Sequence, residues 1–114
     1  MRQYSVVAAI AALVIGASYA VAAAPAVRQD PAGKEPYEAN CRKCHGVRGV
    51  PPKTMKAKYE KIATFDADFF TKHTRDSIVT ILTKGKGEDM KSFKAKLTHE
   101  QMEQVADYIK TLVK

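Results

Sequence analysis

Cys41-Arg42-Lys43-Cys44-His45 places two thiols three residues apart and an imidazole directly after the second. Three chemistries use cysteines at this spacing. A dithiol redox pair does, but in a strand-then-helix setting, and no strand pattern precedes Cys41. A structural zinc site does, but it takes four ligands, and His73 and His99 stand far off without a second ligand pair. Covalent attachment of a c-type haem needs only what is here: two thioether bonds to the porphyrin vinyl groups, with the adjacent histidine as an axial ligand to iron. At a helix end, thiols at i and i+3 share a face and reach one edge of the ring, while the next residue swings beneath the metal. The pentad points to haem. The same two cysteines are too close together to staple a fold, which excludes a disulfide scaffold.

The second axial position then decides the function, because five-coordinate iron binds ligands and six-coordinate iron carries electrons. The candidates are Met55, Met90, Met102, His73 and His99. Met102 falls on an apolar helical stripe and reads as core. His99 lies in the first turn of the last helix, beside its cap, and reads as solvated. Met55 follows His45 by ten residues, much of them proline loop, which makes the far face of the ring hard to reach. His73 sits at a helix break. Met90 follows Gly85-Lys86-Gly87 in an irregular loop, distant enough to wrap around a porphyrin, and has no helical stripe to explain it.

The elements that must position these residues read as helical. Lys34 to Arg42 has the makings of a short helix with Pro36 in its first turn. Gly46 to Lys53, with two glycines and Pro51-Pro52, reads as a loop. Apolar spacing resumes at Tyr59-Ile62, Phe65-Phe69-Phe70 and Ile78-Ile81-Leu82, as short helices broken near Asp66 and Thr74. Gly85 stops the third of these. In the last helix, Thr98 and Gln101 form a capping-box pattern, and Met102, Val105, Ala106, Ile109, Leu112 and Val113 share a face. No run of strand alternation appears.

The chain has 114 residues, and its apolar fraction is concentrated in the first 27. Met1-Arg2 gives a positive start, Val6 to Val27 carries no charge, and the stretch ends in small residues. This reads as a secretory signal peptide over residues 1–24, cleaved near 23–26, followed by a linker at 25–32 and a domain at 33–114. The alternative is a retained membrane anchor, for which the span is just long enough but rich in alanine. The exported part, in a bacterial periplasm, has about 90 residues and no tryptophan. A domain of that size buries a modest fraction of its surface, so a large cofactor is expected to complete the core.

From Gly33 to Lys114 the chain resembles the class I cytochromes c. The resemblance rests on the haem pentad, on Ile78 to Gly87 followed by Met90 and Phe93, and on Leu97-Thr98 with Val105-x-x-Tyr108-Ile109. Gly33 and Tyr37 match the positions where the family's first helix crosses its last, opposite Val105 and Tyr108. The resemblance implies an all-α fold of three to five short helices around one covalent haem c, with Cys41 and Cys44 as tethers. It further implies His45 and Met90 as iron ligands, and Pro51 or Pro52 as the residue whose carbonyl orients the histidine ring. One departure stands out: the family usually has proline after the ligating methionine, and here there is Lys91, which suggests a looser loop.

Such a protein is an electron carrier and not an independent enzyme; no catalytic constellation stands out. Lysine plus arginine exceed aspartate plus glutamate by seven. Lys84, Lys86, Lys91, Lys94 and Lys96, with Arg42, Lys43, Arg48 and Lys53, are expected to ring the haem edge and steer acidic redox partner proteins. The protein is expected to be a monomer with no small-molecule substrate. Nucleic acid is a poor explanation of the charge, because the compartment is wrong and no aromatic-basic interleaving occurs. Two other readings stay open: a haem subunit serving one dehydrogenase or oxidase, and a ligand sensor or peroxidase with an open sixth position.

Overall fold

A computed structural model describes residues 16, 18, 21–24 and 30–113, so the expected signal peptide lies almost wholly outside the described residues. From Asp30 onward the chain forms six helices in the order α1 (Lys34–Asn40), α2 (Arg42–His45), α3 (Lys53–Lys58), α4 (Ala67–Lys72), α5 (Arg75–Lys84) and α6 (His99–Lys110). Among the described residues no strand is formed beyond an isolated bridge between Lys86 and Met90. None of these helices is long and apolar enough to cross a membrane.

The count exceeds the expected three to five because the chain breaks at Cys41, which ends α1 and starts the separate short helix α2; a second difference lies further along the chain. The Tyr59-Ile62 segment is a turn and not a helix, while the helix lies just before it, at α3. That stretch, Lys-Thr-Met-Lys-Ala-Lys, has too few apolar residues to show a helical period. The breaks at Asp66 and Thr74 are helix starts: the Asp66 carboxylate accepts from the Phe69 N–H at 2.9 Å, and the Thr74 hydroxyl accepts from the Ser77 N–H at 3.2 Å. Each satisfies one of the donors that a helix start leaves free. The capping box of α6 is present in both directions, Thr98 with Gln101.

The core is small and entirely apolar. Tyr37, Cys41, Ile78, Val79, Leu82, Leu97, Met102, Val105, Ala106 and Ile109 are buried, and among the described residues no polar or charged side chain joins them. Helix α6 forms the spine, packing on α1 and on α5. At the α1 crossing, a Cβ on Gly33 would lie 2.0 Å from the Gln104 carbonyl oxygen and 2.6 Å from the Tyr108 Cβ, so only glycine lets the backbones approach this closely. Tyr37 meets Tyr108 with ring centroids 5.4 Å apart, and Val105 is fully buried beside them. The crossing expected from Gly33, Tyr37, Val105 and Tyr108 is therefore formed. Arg75, at the start of α5, reaches Asp107 at 2.7 Å and Glu103 at 3.0 Å on α6.

Candidate functional site

An open cleft runs between α6, α5 and the segment that follows the pentad. Its empty space, solvent mouth included, is about 520 Å³. Cys41 and His45 line it from one side, and Met90 with Lys86 from the loop after α5. Phe65, Ile78, Leu82, Val105 and Ile109 complete an almost wholly apolar wall. A large, flat, apolar ring fits this lining, which places the Cys41 thiol, the His45 imidazole and the Met90 thioether in one cleft, with Lys86 and Tyr37 also on its wall and Cys44 not among the lining residues. Among the described residues no other methionine or histidine lines the cleft. Met102 is buried within α6 and accepts from the Thr83 hydroxyl at 3.4 Å. Met55 lies on α3, His73 stacks on Phe69 at 4.3 Å, and His99 is exposed beside Glu103. Cys44 is half-buried, three residues on from the buried Cys41.

The His45 ring is held from two directions. It stacks on Phe65 with centroids 4.7 Å apart and planes 20° from parallel, and its Nδ1 lies 3.2 Å from the Ala63 carbonyl oxygen. With the proton on Nδ1, that nitrogen donates to Ala63 and leaves Nε2 as the free donor pair for a metal. The residue orienting the histidine is thus Ala63 and neither Pro51 nor Pro52. The reason is that the Pro52 carbonyl is already engaged at the start of α3, accepting from the Met55 and Lys56 N–H groups at 2.9 and 3.0 Å. The chain then returns through Ala63 to Phe65, whose N–H donates to the Gly49 carbonyl at 2.8 Å. That return brings a different carbonyl beneath the ring.

Tyr37 stabilises the same wall. Its hydroxyl, on a side chain 1% exposed, donates to the Gly46 carbonyl at 2.6 Å. Gly46 has φ +81°, and a Cβ there would lie 2.1 Å from the Val50 carbonyl oxygen, so the turn out of the pentad admits only glycine. Neither Ala63, Phe65 nor the Tyr37 hydroxyl was legible as part of the site, because each acts through a backbone partner brought close by the fold.

Burial sets the protonation of these groups. It pushes the His45 imidazole below its ordinary range, against the opposing pull of the Ala63 hydrogen bond, which favours the neutral ring that metals bind. Burial, with Cys44 nearby, pushes the Cys41 thiol up to about 11. The Tyr37 phenol is raised mainly by burial.

Lys84, Lys86, Lys91, Lys94, Lys96, Arg42, Lys43, Arg48 and Lys53 are all exposed, and Lys86 also lines the cleft. Among the described residues none of these is in an ion pair. Val47 and Val50, in the loop after the pentad, are more than half exposed.

Residues 28–109 match the family described as cytochrome C oxidase, cbb3-type, subunit III. Among solved structures the chain is similar to one titled KustC0563 c-type cytochrome, with 29% identity and a TM-score of 0.65, over 72% of this chain and 98% of that one. It is also similar to a tyrosine-to-phenylalanine mutant of that protein, with 27% identity and a TM-score of 0.62, over 70% of this chain and 96% of the other. No curated protein matches the chain.

Proposed function

Since the chain belongs to the cbb3-type cytochrome c oxidase subunit III family, and is a c-type electron-transfer cytochrome carrying covalent haem c, we propose that it is a soluble, exported one-electron carrier. In this reading Cys41 and Cys44 are the tethers, and His45 and Met90 are the iron ligands. The observation that carries it is the apolar cleft lined by Cys41 and His45 from the pentad and by Met90 from the loop after α5.

When bound, the haem supplies a one-electron couple between ferrous and ferric iron, with no bond to a substrate made or broken. The rest is the work of the chain. His45, held by Ala63 and Phe65, offers a neutral nitrogen in a fixed orientation. Met90 is a weak neutral donor, which favours the reduced state relative to a second histidine. The apolar lining excludes water and disfavours the extra positive charge of the oxidised state. The exposed lysines and arginines steer an acidic partner protein into brief, wet contact, beside the small apolar patch of Val47 and Val50. No nucleic acid, small-molecule substrate or independent catalysis enters this reading, and the working unit is a monomer in the periplasm.

Carbon monoxide tests the ligand set. The reduced protein should bind it slowly and weakly, and Met90→Ala should bind it at once; rapid binding by the unaltered protein would overturn Met90 and favour a sensor or peroxidase. Electron-transfer rates with an acidic partner should fall as salt rises, and rates insensitive to salt would exclude steering.

The family's name favours a second reading, a haem subunit dedicated to one oxidase or dehydrogenase, held to it by association or by a retained N-terminal anchor. Co-purification with one membrane complex at low salt, in constant ratio, would favour that reading over a free carrier.

A further inference from the structure

The C-terminal end of α5 and the loop carrying Met90 satisfy one another. A helix leaves its last carbonyls without intrahelical donors. In α5 three of them are taken by the chain that follows. The Gly85 N–H donates to Ile81 at 2.7 Å, the Phe93 N–H to Leu82 at 2.8 Å, and the Ser92 hydroxyl to Thr83 at 2.5 Å. The Ser92 oxygen also accepts from the Lys94 N–H at 3.2 Å.

The loop is closed on its inner side as well. Gly85 turns the chain at φ +80°, and a Cβ there would lie 2.7 Å from the Met90 carbonyl oxygen and 2.8 Å from the Ser92 nitrogen. The Lys86 N–H donates to the Met90 carbonyl at 2.8 Å. Residues 85–92 thus leave α5, pass Met90 along the cleft and return to the helix end they left. The other ties are backbone to backbone; Ser92 supplies the side-chain tie, two residues beyond Met90. This is not the loose loop that Lys91 in place of proline suggests.

We propose that Ser92 is the positioning residue that holds Met90 in the cleft, giving the restraint that a proline after the methionine would otherwise give. The inference rests on the reading of Met90 as an iron ligand. An external ligand that takes the place of Met90 must wait for this loop to open, so its apparent affinity scales with the open fraction. Removing the hydroxyl frees the Thr83 carbonyl and the Lys94 N–H, and the loss of a hydrogen bond of ordinary strength raises the open fraction about threefold to tenfold.

The test is imidazole titration of the oxidised holoprotein at neutral pH and fixed salt, followed by the weak far-red band expected of methionine-ligated ferric haem. Ser92→Ala should bind imidazole about threefold to tenfold more tightly than the unaltered protein, and Ser92→Thr, which keeps the hydroxyl, should restore most of the difference. Thr80→Ala serves as control, because its hydroxyl donates to the Asp76 carbonyl at 2.9 Å on the exposed side of α5, away from the loop. Unchanged affinity in Ser92→Ala, or an equal gain in Thr80→Ala, would overturn the proposal while leaving Met90 in place. If the unaltered protein lacks the far-red band and binds imidazole as tightly as Met90→Ala, the ligand reading itself fails and the role of Ser92 goes with it.

Discussion

On the His45 side of the cleft the restraints lie in the interior: the Tyr37 hydroxyl on Gly46, the Ala63 carbonyl on the ring nitrogen, and Phe65 stacked against the ring. On the Met90 side they lie at the surface, in a loop pinned to the end of α5 by backbone bonds and by the exposed Ser92. The first wall is continuous with the core through Tyr37 and Cys41, so opening it breaks buried contacts. The second can open locally, since exposed hydrogen bonds and few buried contacts mark the low-stability end of a structure. In this reading His45 is fixed by folding and Met90 by a latch.

The two glycines that differ most between the walls would sharpen this contrast with the largest effect. Gly46 and Gly87 both have positive φ, but a Cβ at Gly46 meets the Val50 carbonyl at 2.1 Å, whereas nothing lies within 4 Å of one at Gly87. Gly46→Ala should cost about 3 kcal/mol of unfolding free energy, from backbone collision added to left-handed strain, and Gly87→Ala about 1, from strain alone. Denaturant midpoints of the holoprotein measure both, and equal losses would erase the difference between the walls.

Hydroxyl removal is the next test. Tyr37→Phe leaves the Gly46 carbonyl buried without its donor and should cost about 1–3 kcal/mol, whereas Ser92→Ala, whose freed groups reach water, should cost about 0.7–1.4 kcal/mol, the same loss that opens the loop. A larger global loss for Ser92→Ala than for Tyr37→Phe would invert the account.

The smallest effect is expected behind both walls, where Arg75 joins α5 to α6. Its hydrogen bonds hold the Asp107 carboxyl below its ordinary range. A carboxyl depressed in the folded state contributes stability above its unfolded pKa, and loses it as pH falls through the folded one. Arg75→Ala should therefore lower the melting temperature slightly at neutral pH, and the gap should close below about pH 4. A gap that widens in acid would contradict the assignment.

The difference between the walls also explains what could be read from the chain. The Thr98 and Gln101 capping box and the breaks at Asp66 and Thr74 are carried by side-chain type and spacing, and they were legible; the Gly33 to Tyr108 crossing was legible only through the resemblance. Cys41 and His45 were picked out by the pentad, and Met90 because no helical stripe accounted for it, and all three line the cleft. Ala63 was not, since a backbone carbonyl is the same in every residue and only the return of the chain past Gly49 selects it. Helix α3 was hidden because half of its side chains are lysine and all but Met55 are exposed. Ser92 had a faint signal: a serine a few residues past a glycine helix stop is suited to cap free carbonyls, but only the closed loop shows which one it meets.

The central claim is that His45 and Met90 face each other across one cleft as the iron's two axial ligands. Proton–carbon NMR of the reduced holoprotein, labelled at the methionine methyl carbons, tests it most directly. The account predicts a single methyl resonance displaced far upfield by the porphyrin ring current, absent in Met90→Leu and unchanged in Met55→Leu. A displaced methyl that belongs to Met55 or Met102, or none displaced at all, would contradict it.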